Sequence, residues 1–340
     1  AGQDREDERF IPPMRGHFYD TVVFGGGAPV VCRHYRVELP RDKPLRYKVY
    51  NGRVASACDH TDEHLVYSFW QRDILADRPE PAAVAASDRL PKVVMATTRT
   101  WEEKSRWFWK VQEEREIFAN EPRTDGLPGG EEEVREIEEL VERLCAGRSR
   151  EEKIRALNHW AADNIRYMGI TMGEGEGYTI HPGVMNMHDR AGVCKDKAGM
   201  LCTLLRVAGF EAYCGMTMAG SRVEDIPADQ FNHCITAVRE PDGSLRLLDP
   251  TWIPLSMEMW SSAESQQHYL IGTEKGETLQ VTPLPRAEEN RLFIEVRGEL
   301  DPSGRLRARV SLHGTNYADQ RMRRHFYEIP QDRVRARFTR

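Results

Sequence analysis

An abrupt change of hydrophobic period divides the chain at residues 119–133, "ANEPRTDGLPGGEEE". Before it, "TVVFGG", "VVCRHYRVELP", "LRYKVYNG" and "HLVYSFWQRDI" mix β-branched and aromatic residues and are broken by Gly, Pro and Asn-Gly turn signals, the pattern of strands. After it, Val134, Ile137, Val141 and Leu144 recur at helical spacing, with an acidic run suited to the helix dipole in the first turn. "SREE" then supplies a capping box, Ser149 as N-cap and Glu152 at N3, for a second helix through Ile154, Leu157, Ala161 and Ile165. The expected class is therefore α+β. Residues 1–125 are read as a β-rich domain, 126–275 as a mixed core and 276–340 as the start of a second β-rich domain.

Within the first region the proline-punctuated "RPEPAAVAASDRLP" reads as a connection, and Trp101, Trp107 and Trp109 are expected to anchor a small β core. In the last region, "RLFIEVRGEL" and "LRARVSLHGT" read as a hairpin turning at Asp301-Pro302-Ser303-Gly304, and the arginine-rich end reads as further β structure.

Composition removes several functions. A formal charge of -6 from 54 acidic and 48 basic residues gives no broad electrostatic footprint for nucleic acid or anionic membrane. No stretch approaches the ~18 to 20 apolar residues of a membrane span. The seven cysteines form no CxxC pair or Cys/His zinc spacing, which argues against a disulfide framework and a structural zinc.

The chemistry concentrates around Cys194, in "AGVCKDKAGMLCTLLRVAGFEAYCGMT", directly after a glycine turn and directly before an apolar helix carrying Ala198, Leu201, Cys202 and Leu205 on one face. A thiol becomes a strong nucleophile at neutral pH when its pKa falls, and a helix N-terminus beside an imidazolium lowers it. The Cys194 N–H at that terminus could also donate to an oxyanion. A base is offered by His233 in "FNHCITAV", and a group to orient it by Asp249 in "LLDPTW". If Pro241-Asp242-Gly243 is a three-residue loop with Gly243 in the left-handed region, Glu240 faces Ser244 and Ile235 faces Asp249. His233 and Asp249 then share a face as diagonal neighbours about 7 to 8 Å apart. A two-residue loop would put them on opposite faces.

Each signal has an ordinary structural reading as well. Cysteine is among the most buried residue types, which is the reading for Cys202, Cys214 and Cys234, and Asp-Pro commonly starts a turn. The glycine-rich stretch after Tyr167 has no GK[ST] and no preceding strand, so it is read as a loop bordering a cleft rather than a phosphate cradle.

"GVCKDKAGMLCTLLRVAGFEAYC", "FNHCITAV" and "LLDPTW" resemble the three blocks of the bacterial transglutaminase-like superfamily, a circularly permuted relative of the papain fold. "EEKIRALNHWAADNIRYMGI" followed by "GYTIHP" resembles its lead-in to the catalytic helix. CKDKA is similar to the branch in which this core lies between two β-rich domains, a branch that usually carries an acid where this chain has Val193. The resemblance implies a papain-like core with nucleophile Cys194, base His233 and orienting Asp249. It implies an aromatic oxyanion contributor upstream of the cysteine, carried over to Tyr167, with Trp160 packing between helices. Asn232 and Trp252 are the residues expected to shape the site, Asn232 alternatively capping a turn. Arg190 and Lys195 either favour an acidic group nearby or are solvated surface charges.

Acyl transfer on peptide or amide bonds through a thioester follows from such a site, with hydrolysis favoured over cross-linking. It requires no cofactor, no EF-hand-like calcium loop is visible, and the implied partner is a peptide or protein substrate. The domain order is similar to that of exported relatives. The competing expectation is a noncatalytic scaffold in which the same core holds β domains that bind a partner.

Overall fold

The computed structural model of the chain describes residues 14, 16–113, 116–168, 180–251, 265–284, 286–327, 329, 330 and 333. The expected α+β class is the one the chain adopts. The N-terminal region builds two three-stranded antiparallel sheets from β1 (Tyr19–Val23), β2 (Val30–Pro40), β3 (Arg46–Tyr50), β4 (Ala55–His60), β5 (His64–Ile74) and β6 (Lys92–Ala96), with a short helix α1 (Ala86–Arg89) before the last strand. Their orders are β1-β6-β3 and β2-β5-β4. Val22, Val37, Phe69, Val93 and Met95 fill the space between them. β6 is buried on both faces, because the alternate residues Val94 and Ala96 pack instead against Ile226 and Ala228 from the core.

The tryptophan cluster departs from expectation. Trp101, Trp107 and Trp109 lie on a helix, α2 (Trp101–Glu113), which buries Trp101 and Phe108 against the core. The helix starts with the acids Glu102 and Glu103 in its first turn, as the dipole favours.

Both sequence-derived helices form. α3 (Glu131–Cys145) buries Ile137, Leu140 and Val141, and α4 (Arg150–Asn164) starts at the expected cap, where the Ser149 hydroxyl accepts from Glu152 N. A two-residue parallel bridge follows between β7 (Arg166–Tyr167) and β8 (Ala191–Gly192), enclosing α5 (Gly183–Asp189). α6 (Cys194–Val207) is buried along its whole length from Lys195 to Leu205, so it occupies the centre of the fold instead of presenting one apolar stripe. It ends before Gly209, whose φ of 83° is the left-handed conformation a helix stop uses.

One face of α6 rests on a five-stranded antiparallel sheet of order β11-β10-β9-β12-β13, formed by β9 (Ala212–Thr217), β10 (His233–Arg239), β11 (Leu245–Leu248), β12 (His268–Ile271) and β13 (Gln280–Val281). Cys202, Cys214, Met216, Cys234 and Val238 fill that interface. Ile235, Ala237, Leu247 and Ile271 pack on the opposite face. The chain continues into the expected hairpin, β14 (Leu292–Leu300) with β15 (Leu306–Gly314). The segment after it is a helix, α7 (Asn316–Tyr327), not a strand.

The β10–β11 connection is the three-residue loop. Arg239 pairs with Leu245, Glu240 N donates to Ser244 O at 2.8 Å, Gly243 N donates back to Glu240 O, and Gly243 has φ 85°. Continued past Thr236 and Leu248, this register sets Ile235 against Asp249.

Candidate active site

Cys194 is the first residue of α6, half-buried, and its seat is built by Asp196 two residues on. The Asp196 carboxylate is 1% exposed. It accepts from Val193 N at 2.9 Å, capping the start of α6, and from His181 N at 3.2 Å, which ties in the chain just before α5. Asn186 adds a donor to Asp196 O at 3.2 Å. A Cβ added to Gly192 would stand 2.5 Å from Asp196 Cβ, so only glycine lets the chain approach this closely before the cysteine.

His233 opens β10, and its Nε2 lies 2.9 Å from Asp249 Oδ2, with the two side chains 7% and 0% exposed. Asp249 Oδ1 accepts from Thr251 N at 2.9 Å. Burial works to raise the Asp249 pKa. The His233 charge and the hydrogen bonds from His233 and Thr251 outweigh it and hold the carboxyl below the ordinary carboxylate value.

Cys194 and His233 line one cleft of about 220 Å³, whose apolar walls come from Phe108 of α2, Ile180, Met216 of β9 and Phe231. Lys195, Asp229 and Asn232 also face it. Tyr167 stands beside this group because β7 pairs with β8, setting it opposite Gly192, two residues before the cysteine. Its hydroxyl is pushed above the ordinary phenol value by burial and by the charges of Cys194 and Asp249, with His233 opposing. It therefore stays protonated, a hydrogen-bond donor, at neutral pH.

The remaining expected residues separate. Asn232 lines the cleft but its side-chain amide is bound to the backbone of Ala219, accepting at 2.8 Å and donating at 3.1 Å, so it caps the chain just before His233. Trp160 packs against the core under the Arg190 guanidinium, 5.0 Å from its ring centre, and Arg190 also pairs with Glu136. Trp252 and the glycine-rich loop at 173–177 lie outside the described residues.

Three features escaped sequence reasoning. Asp196 carried a visible signal, an acid at N3 of the helix, but without a Ser or Thr cap to announce it. Lys197, fully buried, donates to Ala162 O at 2.8 Å. Asp229 enters the cleft wall paired at 3.3 Å with buried Lys104, 125 residues away, which no local pattern marks.

All seven cysteines are free. Cys202, Cys214 and Cys234 are buried, and burial with contacts to Cys202 and Cys234 raises the Cys214 thiol well above its ordinary value. They are core residues, closed off from solvent. Among the described residues there is no group of three His, Cys, Asp or Glu side chains that could hold a metal ion, and no helix is long and apolar enough to cross a membrane.

Residues 138–255 match the family model described as the transglutaminase-like superfamily. That span contains Cys194, His233 and Asp249 and runs from α3 through β11. No curated protein matches the sequence. Among solved structures, the chain is similar to a "putative protease" from Parabacteroides distasonis, with a TM-score of 0.57 and 15% identity over 80% of this chain and 48% of that one. The chain thus spans about half the length of that protein, and the likeness is one of fold. A "putative cysteine protease" from Cytophaga hutchinsonii aligns over 88% of this chain and 93% of that one, at 10% identity and a TM-score of 0.32.

Proposed function

We propose, with residues 138–255 as a transglutaminase-like core, that the chain is a cysteine enzyme hydrolysing a peptide or amide bond by acyl transfer. Cys194 is the nucleophile, His233 the general base and then acid, and Asp249 the group that orients and charges the imidazole. The observation that carries this reading is the 2.9 Å His233–Asp249 contact at a cleft that Cys194 also lines. With Nε2 committed to Asp249, Nδ1 is the nitrogen that takes the thiol proton.

In the first half-reaction the Cys194 sulfur bonds to the carbonyl carbon, the carbonyl electrons collect on oxygen, and the Cys194 N–H and Tyr167 hydroxyl donate to that oxyanion. Collapse expels the amine, which leaves with the proton held on His233, and a thioester remains. In the second, water gives a proton to His233 and attacks the thioester, releasing the acid and restoring the thiol. An amine in place of water would yield a cross-link by the same steps. The apolar cleft walls favour hydrolysis of a peptide carrying an apolar side chain next to the reacting carbonyl.

Brief iodoacetamide treatment across pH 5 to 9, read by intact-protein mass spectrometry, tests the site before any substrate is known. Fast single-site labelling below the ~8.5 of an ordinary thiol is expected, absent in Cys194→Ala and slowed in His233→Ala. Slow labelling indifferent to His233 would remove the dyad and return the chain to the scaffold reading. A positive result leads to a screen of peptide and glutamine-amide substrates.

A further inference from the structure

The geometry points to the N-terminal β region as part of the active-site machinery: buried Lys92 and Lys104 are positioning residues that fix, from outside the family core, the segment delivering His233. That segment, 218–232, runs from β9 to β10 and contains no helix or strand. It supplies Asp229, Phe231 and Asn232 to the cleft and ends on His233. Irregular connections of such length usually move relative to the elements they join.

Here the connection is tied down by charges taken out of water. Lys92, on β6, is 2% exposed, with Nζ 2.9 Å from Glu224 Oε1 and 3.9 Å from Asp88, and 5.8 Å from the Tyr50 ring centre. Lys104, on α2, is fully buried, with Nζ 3.3 Å from Asp229 Oδ1 and within 6.0 Å of the Tyr19, Trp107 and Phe231 rings. Between the two acids, Asp225 accepts from Lys48 at 2.8 Å and from the Tyr50 hydroxyl, and its carbonyl accepts from Trp101 Nε1 at 3.2 Å. Ile226 and Ala228 pack on Val94 and Ala96.

Apolar contacts of small residues such as Ala228 would tolerate sliding. Two largely desolvated ion pairs resist it, because a shift draws Glu224 or Asp229 away from a buried ammonium, and weakening a buried pair costs more than losing a surface contact. Glu224 and Asp229, five residues apart, must therefore arrive together at two fixed ammonium groups, which leaves one placement for Phe231, Asn232 and His233. Neither Lys92 nor Lys104 lies within residues 138–255, so the family core borrows this constraint from the preceding region. The role for the site rests on the acyl-transfer reading, whereas the fixing of the segment does not.

The test uses the full chain with Lys92→Met/Glu224→Met, which removes both charges of one pair while keeping volume, at a place outside the cleft lining. Replacing a buried pair by apolar residues commonly preserves folding, so a cooperative melt near that of the native chain is expected. Two readouts then follow: amide hydrogen exchange across 219–232, and the rate of Cys194 alkylation at pH 6 against native and His233→Ala chains. Exchange in the segment about tenfold faster or more, with β9 and α6 unchanged, together with alkylation slowed toward the His233→Ala rate, supports the proposal. Native exchange in a folded double variant overturns it, as does faster exchange with native alkylation. Should the native and His233→Ala chains alkylate alike, the acyl-transfer reading fails, and the exchange result still decides whether the pair fixes the segment. If the double variant does not fold, Lys104→Met/Asp229→Met is read by the same two measurements.

Discussion

Lys197 and Ala162 are joined by a 2.8 Å hydrogen bond in which the lysine ammonium, one turn past Cys194, donates to a carbonyl in the last turn of α4. The helix that begins at Cys194 is thereby fastened to the helix that leads into Tyr167.

This tie sets a pH dependence of stability. Burial lowers the Lys197 pKa to about 8 from 10.5, against the raising influence of Asp249 and Asp163. Between pH 8 and 10.5 the unfolded chain holds the proton and the native chain does not, so Lys197 makes stability rise with pH through that window. The full difference is on the order of 3 kcal/mol, absent in Lys197→Met. Urea unfolding of both chains at pH 7.5, 9 and 10 measures it as a gap that widens in favour of the native chain at high pH. A constant gap contradicts the titration.

Asp249→Asn leaves the shape and removes the charge. In the proposed triad, losing the anion would free the imidazole to take the wrong tautomer and withdraw support from the imidazolium, and kcat is expected to fall roughly a hundredfold or more. Because the folded carboxyl sits below its ordinary value, its stabilisation is complete above that value and is lost only as pH falls through the folded pKa. Acid unfolding of Asp249→Asn should accordingly show a shallower slope below pH 4 than the native chain.

Tyr167→Phe deletes one donor while keeping the ring. If the hydroxyl contacts the oxyanion, kcat falls about tenfold to a hundredfold with KM within a factor of about two. Because the phenol is pushed above its ordinary value, the near-neutral part of the pH profile does not arise from this tyrosine, and the two profiles should be parallel there. A change confined to KM would assign Tyr167 to substrate binding instead.

Gly192→Ala drives a methyl group into Asp196, whose Cβ is 2.5 Å from the new atom. The carboxylate must leave Val193 N and His181 N, at a cost of about 1–3 kcal/mol in stability. Asp196→Ala should lose a similar amount by the same route. Thermal melts of the two single variants and the double should sum to less than additive, because the carboxylate contacts are lost only once, while the clash with the Cβ at position 196 persists in the double variant. Additive losses would mean that the glycine and the cap act separately.

The sequence disclosed what local chemistry determines. Ser149 and Glu152 announced α4, the spacing of Ile137 and Val141 announced α3, and Pro241-Asp242-Gly243 announced a loop length from which the shared face of His233 and Asp249 follows. What stayed hidden depends on distant partners. Nothing near Lys92 or Lys104 says that either is buried, since Glu224 and Asp229 lie more than a hundred residues away. The tryptophans of α2 read as strand residues because aromatic side chains suit strands, while their burial is decided by the core they meet. Tyr167 reaches the site through a bridge two residues long, too short to leave a periodic trace.

The loop of three residues at 241–243 has an arithmetic consequence for how such a chain can diverge. Side chains alternate along a strand, so the shared face of His233 and Asp249 depends on the register that sets Thr236 opposite Leu248 and Arg239 opposite Leu245. A residue added within the tip can be taken up by a longer loop that leaves Arg239 opposite Leu245, whereas one added inside either strand shifts the ladder by one and turns the carboxylate away from the imidazole. Length variation is therefore tolerated at the tip and forbidden beside it: descendants that retain the chemistry can differ in loop length, and one carrying a single residue inserted between Thr236 and Arg239 should keep a hairpin and lose the reaction.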